Sequence, residues 1–254
     1  MVSISCRSMF RNIACIGAFI IFSGCSATRQ AQPPLSPQTK AQQTASHPAP
    51  SNQTKPSQPQ QLPLLQKRGG PVVFLDAGHG GHDEGAVVKL SQLQEKALSL
   101  EIVKRIEKLL LSWDYSVCLS RRHDVFVPLQ KRVALADRSK ATIFVSIHFN
   151  SAPSKKVRGA EVYFYDCPNS SRSNSSKKLA SAILIRLCET LPTPRRGVKH
   201  GDFCVIRETS MPAVLVEAAF ITNPKEARLL TSASYKQQIA SAIAKGINDF
   251  FHPN

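Results

Sequence analysis

From residue 71 onward, short apolar runs alternate with longer stretches in which apolar residues recur every three or four positions. Val72–Leu75, Thr142–Ile147 and Ala213–Val216 are apolar on both faces, the pattern of central strands in a sheet covered on both sides. Tyr115–Leu119 and Phe203–Ile206 read as shorter strands, and Ala160–Tyr165 alternates like a strand with one wetter face. Between them, Leu93–Trp113 carries Ala97, Leu100, Val103, Ile106 and Leu110 at helical spacing, and Leu129–Lys140 carries Val133, Leu135 and Ala136. Ser176–Leu191 reads as a helix closed by Pro192 and Pro194; Pro224–Leu230, with proline in its first turn, and Ser234–Phe251 complete the set. Strands alternating with helices predict one α/β domain over residues 71–254, layered around a mainly parallel sheet. No internal repeat and no second folded module is visible.

The first 70 residues follow another logic. Arg7 and Arg11 precede a run from Ile13 to Phe22 that is apolar or small throughout, and Ser23-Gly24-Cys25 follows. A charged start, a short apolar run and small residues before a cut are the parts of an export signal, here residues 1–25. The run is about half the ~20 residues needed to span a bilayer. It resembles a bacterial lipoprotein signal, which implies acylation of Cys25; Phe22 departs from the usual aliphatic residue. Ser26 after the cysteine implies onward transport to an outer membrane if the cell has one. The predicted location is therefore the periplasmic side of the envelope, by a lipid anchor. Residues 26–70 hold eight Pro and ten Gln and no apolar period, so they read as a disordered linker.

Charge sharpens this division. The chain has 33 Lys+Arg against 17 Asp+Glu, yet residues 1–70 contain no acid, which leaves +9 on residues 71–254. A basic balance fits an anionic polymer, a membrane surface or nucleic acid. Specific nucleic-acid binding is disfavoured by the export signal and by the lack of aromatic residues interleaved with basic ones. Cys118, Cys167, Cys188 and Cys204 are widely spaced without a C-x-x-C, so one disulfide after export stays open; Cys118 and Cys204 lie in apolar runs where a buried thiol is expected.

Candidate chemistry follows the three central strands. After Leu75 comes Asp76-Ala77-Gly78-His79-Gly80-Gly81-His82-Asp83; after Val145 comes Ser146-Ile147-His148-Phe149-Asn150; the last apolar run contains Glu217. Ligands of open α/β sheets bind outside the carboxyl ends of strands, so two histidines and a carboxylate converge there if the strands are neighbours. Imidazole and carboxylate together suit zinc. A third ligand is needed, and Glu95, followed by Lys96 at the start of the first long helix, is placed to supply it. His82 reads as a surface or supporting residue, Asp83 as a cap or orienter of the loop, Arg158 with Gly159 as a loop support, and His200 as a solvent-facing loop residue.

Five motifs in order carry a family resemblance: His79 in its glycine-rich turn, Glu95-Lys96, Ser146-Ile147-His148-Phe149-Asn150-Ser151 with Arg158-Gly159, Met211-Pro212-Ala213-Val214-Leu215-Val216-Glu217, and Phe220-Ile221-Thr222-Asn223-Pro224. Residues 71–250 resemble the zinc-dependent N-acetylmuramoyl-L-alanine amidases of bacterial cell walls. The resemblance implies a three-layer α/β/α sandwich with a six-stranded mixed sheet. It implies zinc held by His79, Glu95 and His148, with Glu217 as the catalytic carboxylate. The implied substrate is peptidoglycan, cut at the amide between the lactyl group of muramic acid and the L-alanine of the stem peptide, in wall remodelling or daughter-cell separation. Asn150 and Arg207 occupy family motif positions and are candidate substrate contacts. Some division amidases of the family carry a helical insertion that blocks the zinc until a partner removes it. Here only a short Ser/Asn-rich loop follows Tyr165, so an open site is expected, with any activator protein acting otherwise and the chain a monomer. Two alternatives remain from sequence: a zinc metallopeptidase cutting within the stem peptide, and a non-catalytic peptidoglycan-binding lipoprotein.

Overall fold

The apolar run at Val72 becomes an inner strand of a six-stranded sheet. The computed structural model describes residues 69–253, so the expected export signal, Cys25 and almost all of the expected linker lie outside the described residues. The elements in chain order are β1 (Val72–Ala77), a two-residue-stranded hairpin β2 (Val87–Val88) and β3 (Leu93–Gln94), α1 (Glu95–Ser112), β4 (Ser116–Leu119), α2 (Leu129–Arg138), β5 (Ile143–Asn150), β6 (Ala160–Phe164), α3 (Ser171–Thr190), β7 (Arg195–His200), α4 (Cys204–Glu208), β8 (Ala213–Phe220), α5 (Pro224–Leu230) and α6 (Ala233–Phe251). The sheet order is β4-β1-β5-β8-β6-β7. Neighbours are parallel throughout except β8 and β6, which are antiparallel. The expected three-layer sandwich with a mixed, mainly parallel sheet is the observed fold.

Strand alternation divides the core. Val73, Leu75, Ile143, Val145, Val214 and Val216 face α1, α3 and α6, where Ile102, Ile106, Ile183, Leu187, Ile243 and Ile247 meet them. Phe74, Phe144, Ala213 and Leu215 face the other way, toward Ala136 of α2 and Val205 and Ile206 of α4. The Phe74 and Phe144 rings stack at 5.6 Å, and burying each is worth about 1.5–3 kcal/mol. Helices α2 and α4 are short, and beyond Phe144 the same face of β5 continues as Ser146, His148 and Asn150. Beyond Leu215 the same face of β8 continues as Glu217. That polar extension of one sheet face is where the chemistry collects.

Four boundaries differ from expectation, each for a physical reason. Phe203–Ile206 is not a strand: Cys204–Glu208 is the short helix α4, with Val205 and Ile206 buried and Phe203 40% exposed. A four-residue apolar run cannot be assigned to strand or helix from periodicity alone. The sixth strand is instead Arg195–His200, an edge strand with little burial, held by parallel pairing to β6. Its basic sequence hides it, and His200 ends this strand rather than lying in a loop. Helix α3 begins at Ser171, not Ser176, because the Ser170 side chain accepts from the Ser173 N–H as an N-cap. The Ser/Asn-rich stretch is thus helical, with Ser173 and Ser176 buried. The first long helix starts at Glu95 rather than Leu93, because Leu93 and Gln94 pair with Val87 and Val88. All four domain cysteines are free; Cys118 is buried, and Cys204 sits in α4 rather than in a strand.

Candidate metal centre

Residues 78–86, between β1 and the hairpin, form the rim on which the centre is built. His79 has φ +59°, the left-handed region that side chains seldom adopt, and two buried arginines hold it there. Arg132 of α2 donates from Nη1 to Asp76 Oδ1 and to the Ala77 carbonyl, both at 2.6 Å, and from Nη2 to the His79 carbonyl at 2.8 Å. Arg121 donates from Nε to the Ala77 carbonyl at 3.0 Å and from Nη2 to the carbonyls of Gly78 (2.8 Å) and Lys96 (2.7 Å). The Lys96 ammonium donates to the Gly81 carbonyl at 2.8 Å and to Asp124 at 2.9 Å. Five carbonyls are thus satisfied by charged donors, which fixes the loop without regular structure.

Three donor side chains meet beside this loop. The ligand atoms of His79, Glu95 and His148 all lie within 4.8 Å of one another. Glu95 Oε1 is 3.0 Å from His79 Nε2 and 2.9 Å from His148 Nδ1. Ligands about 2.0–2.1 Å from one tetrahedral ion lie a little over 3 Å apart, so the cluster fits a metal such as zinc. The other nitrogen of His79, Nδ1, is 2.9 Å from Asp83 Oδ1, which also accepts from the Gly85 N–H. A carboxylate behind a histidine sets its tautomer and ring orientation, as metal sites require. Glu95 Oε2 accepts from the Ala86 N–H at 2.9 Å. Burial opposes charge on Glu95, but the hydrogen bonds and charges of His148 and His79 outweigh it and hold the carboxyl well below its usual range. Burial likewise acts downward on His79, and Glu95 and Asp83 reverse it.

Two glycines make room for the three donor side chains. A Cβ on Gly78 would lie 2.3–2.7 Å from the His148 ring atoms, and one on Gly85 would lie 2.6 Å from His79 and 2.7 Å from Glu95 Oε2. Gly78→Ala is therefore expected to displace His148 and strip the site. Metal per chain, measured by atomic absorption, should fall well below that of the wild type while far-UV circular dichroism is retained.

Glu217 stands beside this cluster. It is the register partner of His148 across β5 and β8, and of Glu161 across β8 and β6. One of its oxygens, Oε2, is buried with no hydrogen-bond partner. Burial first, then the charges of Glu95 and Glu161, raises its pKa well above the ordinary carboxylate value. Glu161 is handled differently. It accepts from Asn150 Nδ2 and the Tyr163 hydroxyl at 2.7 Å each, from Arg196 Nε at 2.8 Å and from Lys199 Nζ at 2.6 Å. Burial opposes its charge, but Lys199, Tyr163 and Arg196 lower its pKa. Two neighbouring carboxyls are thus driven apart, one kept ionised and the other primed to hold a proton.

The remaining sequence candidates are placed as follows. His148 and Glu217 lie within their strands, on the sheet face rather than past its edge, because α2 and α4 leave that face uncovered there. Asn150 reaches across β8 to Glu161. Arg207, on the solvent side of α4, pairs with Asp202 and Glu208, not with the cluster. The His82 ring packs on Phe126 at 4.2 Å with the planes tilted by 37°, and His82 is not one of the three donors. Sequence reasoning missed Arg121, Arg132 and Glu161. The one available signal was a basic residue inside an amphipathic helix pattern at Arg132, which ordinarily marks a solvated face.

The chain has measurable relatives. A family model described as N-acetylmuramoyl-L-alanine amidase matches residues 73–249. The sequence is 41% identical over 182 residues to the N-acetylmuramoyl-L-alanine amidase LytC of Bacillus subtilis (strain 168), covering 72% of this chain and 36% of that protein. It is 32% identical over 231 residues to the N-acetylmuramoyl-L-alanine amidase AmiA of Escherichia coli (strain K12), covering 75% of this chain and 80% of that one. Among solved structures, N-acetylmuramoyl-L-alanine amidase AmiC2 of Nostoc punctiforme superposes with a TM-score of 0.67 at 38% identity, over 72% of this chain and 97% of that chain.

Proposed function

The chain belongs to the N-acetylmuramoyl-L-alanine amidase family, whose members hydrolyse peptidoglycan, and on that premise we propose that it works with zinc held by His79, Glu95 and His148 and with Glu217 as its proton carrier. The observation that carries this reading is the orphaned Glu217 Oε2, buried in register with His148 beside a set of three ligand atoms. A carboxyl oxygen left without a partner costs free energy in a protein that uses it for nothing.

The bond to be cut is the amide between muramic acid and L-alanine. Zinc would polarise its carbonyl and acidify a bound water toward a pKa of ~7. Glu217, ionised, takes the proton of the attacking water, and Glu217, protonated, returns it to the departing amine of L-alanine. Its raised affinity for a proton suits both halves of that shuttle. Asp83 keeps His79 in the tautomer that presents Nε2, and Arg121 and Arg132 keep the loop from relaxing. Asn150 is a candidate substrate contact through its place beside Glu161.

The site is open in this reading. Only Tyr165–Ser170 connect β6 to α3, so among the described residues no helix inserted there lies over the metal ligands. One structural relative is recorded as the CwlD amidase of Clostridioides difficile in complex with the GerS lipoprotein. For this chain, full activity without an activator is the expectation. Among the described residues no helix is long and apolar enough to cross a membrane. Export by residues 1–25, lipidation at Cys25 and a linker over residues 26–70 complete the proposal: an enzyme anchored to a membrane and reaching the wall from it.

Mass spectrometry of muropeptides digested by the purified zinc-loaded protein tests the reaction. Free stem peptide beginning at L-alanine, absent after chelation, is the expected product. Shortened peptides still attached to muramic acid would replace the proposal with a stem-peptide peptidase. Intact muropeptides with a folded, zinc-loaded enzyme would replace it with a binding protein.

A further inference from the structure

A groove of about 620 Å³ lies between the β2–β3 hairpin and α5. Its walls are apolar where Val88 and Leu90 face Pro224 and Ala227, and three cations stand on it: Lys89, Lys155 and Arg228. No carboxylate lines it, and none of the three cations takes part in an ion pair with the described residues. Leu90 is fully exposed and Val87 is 40% exposed, an apolar surface that the fold itself leaves uncovered.

One wall of the groove starts beside the metal centre. Ala86, which donates to the ligand Glu95, immediately precedes Val87 on one wall. On the other wall, Thr222 accepts from the Ala152 N–H two residues past Asn150, and the buried Asn223 donates to the Lys155 carbonyl at 2.7 Å. Lys155 is therefore carried on an anchored loop, and both walls end within a few residues of the site.

Resting on the amidase reading, we propose that this groove holds the peptide arm of the substrate, a short anionic peptide with small apolar side chains, and that Lys89, Lys155 and Arg228 recognise its carboxylates. Alanine methyl groups suit the Val88, Leu90 and Ala227 surface. The absence of any aromatic side chain among the lining residues disfavours a sugar ring, which needs a flat platform to stack on. Three exposed cations without a facing acid favour an anionic occupant, which could pair with them on binding where a neutral one could not.

The test uses L-alanyl-D-glutamate and its diamide, titrated calorimetrically into the zinc-loaded protein at 0.15 M salt, where long-range charge effects are screened. The acid is expected to bind at least tenfold tighter than the diamide. Arg228→Glu and Lys155→Glu, both exposed substitutions, should each erase that difference and raise the KM for a soluble muropeptide about tenfold, whereas Lys245→Glu on α6 should change neither. Equal binding of acid and diamide by an enzyme that cleaves the muropeptide would overturn the groove assignment and leave the amidase reading standing, with the groove passing to a partner protein. Acid-selective, Arg228-dependent binding by a protein that cleaves nothing would uphold the groove and sink the amidase reading. Selectivity that survives both reversals would place the carboxylate on the metal and overturn the proposal.

Discussion

Glu217→Gln is expected to lower turnover of muropeptide by about 10²–10⁴-fold with the bound metal retained, because a positioned acid–base group contributes about that much. Gln keeps the shape and loses the proton. Since the proposed ligands are His79, Glu95 and His148, metal content should match the wild type. The loss should fall in kcat, as befits a group whose contribution develops during the reaction. Equal activity of the two proteins would remove Glu217 from the mechanism. The same substitution makes a second, independent prediction. Burial and the charges of Glu95 and Glu161 raise the folded-state pKa of Glu217 above its ordinary value of 4.5. Well below 4.5 both folded and unfolded chains carry the proton, so wild type and Glu217→Gln should melt alike. As pH rises past 4.5 the unfolded chain releases a proton that the folded chain retains, and wild-type stability falls until the folded pKa is passed. At pH 7.5 the metal-free Glu217→Gln protein should therefore melt higher, by roughly 2–4 °C for each kcal/mol relieved. A carboxylate kept for catalysis at the expense of its own fold would be the expected trade between function and stability.

Arg132→Met should be the most damaging substitution away from the ligands. The Arg132 and Asp76 side chains are 3% and 1% exposed. Burial opposes charge on Asp76, yet Arg132 and hydrogen bonds from Ser120 and Ser146 keep its pKa low. Removing the guanidinium leaves that carboxylate buried and partly unpaired, at a cost of about 3–5 kcal/mol. It also frees the carbonyls of Ala77 and His79, and with them the left-handed turn that aims His79. Urea denaturation of the metal-free protein should show the loss, and Asp76→Asn in the Arg132→Met background should recover part of it. Metal affinity should fall as well, and should not recover in the double variant, because the loop carbonyls stay unclamped. A single variant within 1 kcal/mol of wild type would show that Asp76 is satisfied without Arg132.

The order of apolar runs along the chain was enough to specify the layers of this protein. Val72–Leu75, Thr142–Ile147 and Ala213–Val216 carry the two-sided burial of inner strands in their own composition, and the long amphipathic helices carry theirs. The glycine-rich turn at His79, the Glu95-Lys96 pair and the residues around His148 and Glu217 were legible for a similar reason: each is a polar group set into an apolar or glycine-rich context that local packing does not call for. Other features depend on residues far apart in sequence. β7 is a strand only because β6 offers it a ladder, and α4 is a helix only because Val205 and Ile206 find the sheet face that carries Phe74 and Phe144. Arg132 meets Asp76 across 56 positions, and Arg121 meets Gly78 across 43. Glu161 acquires its lysine and arginine from a strand more than 30 residues on. In a sequence such charges look like solvated surface, because a charge announces its burial only through its partner. Which charges are buried, which carboxyl is held ionised and which is left to take a proton were decided by chain segments meeting in space, where desolvation and pairing energies first come into play.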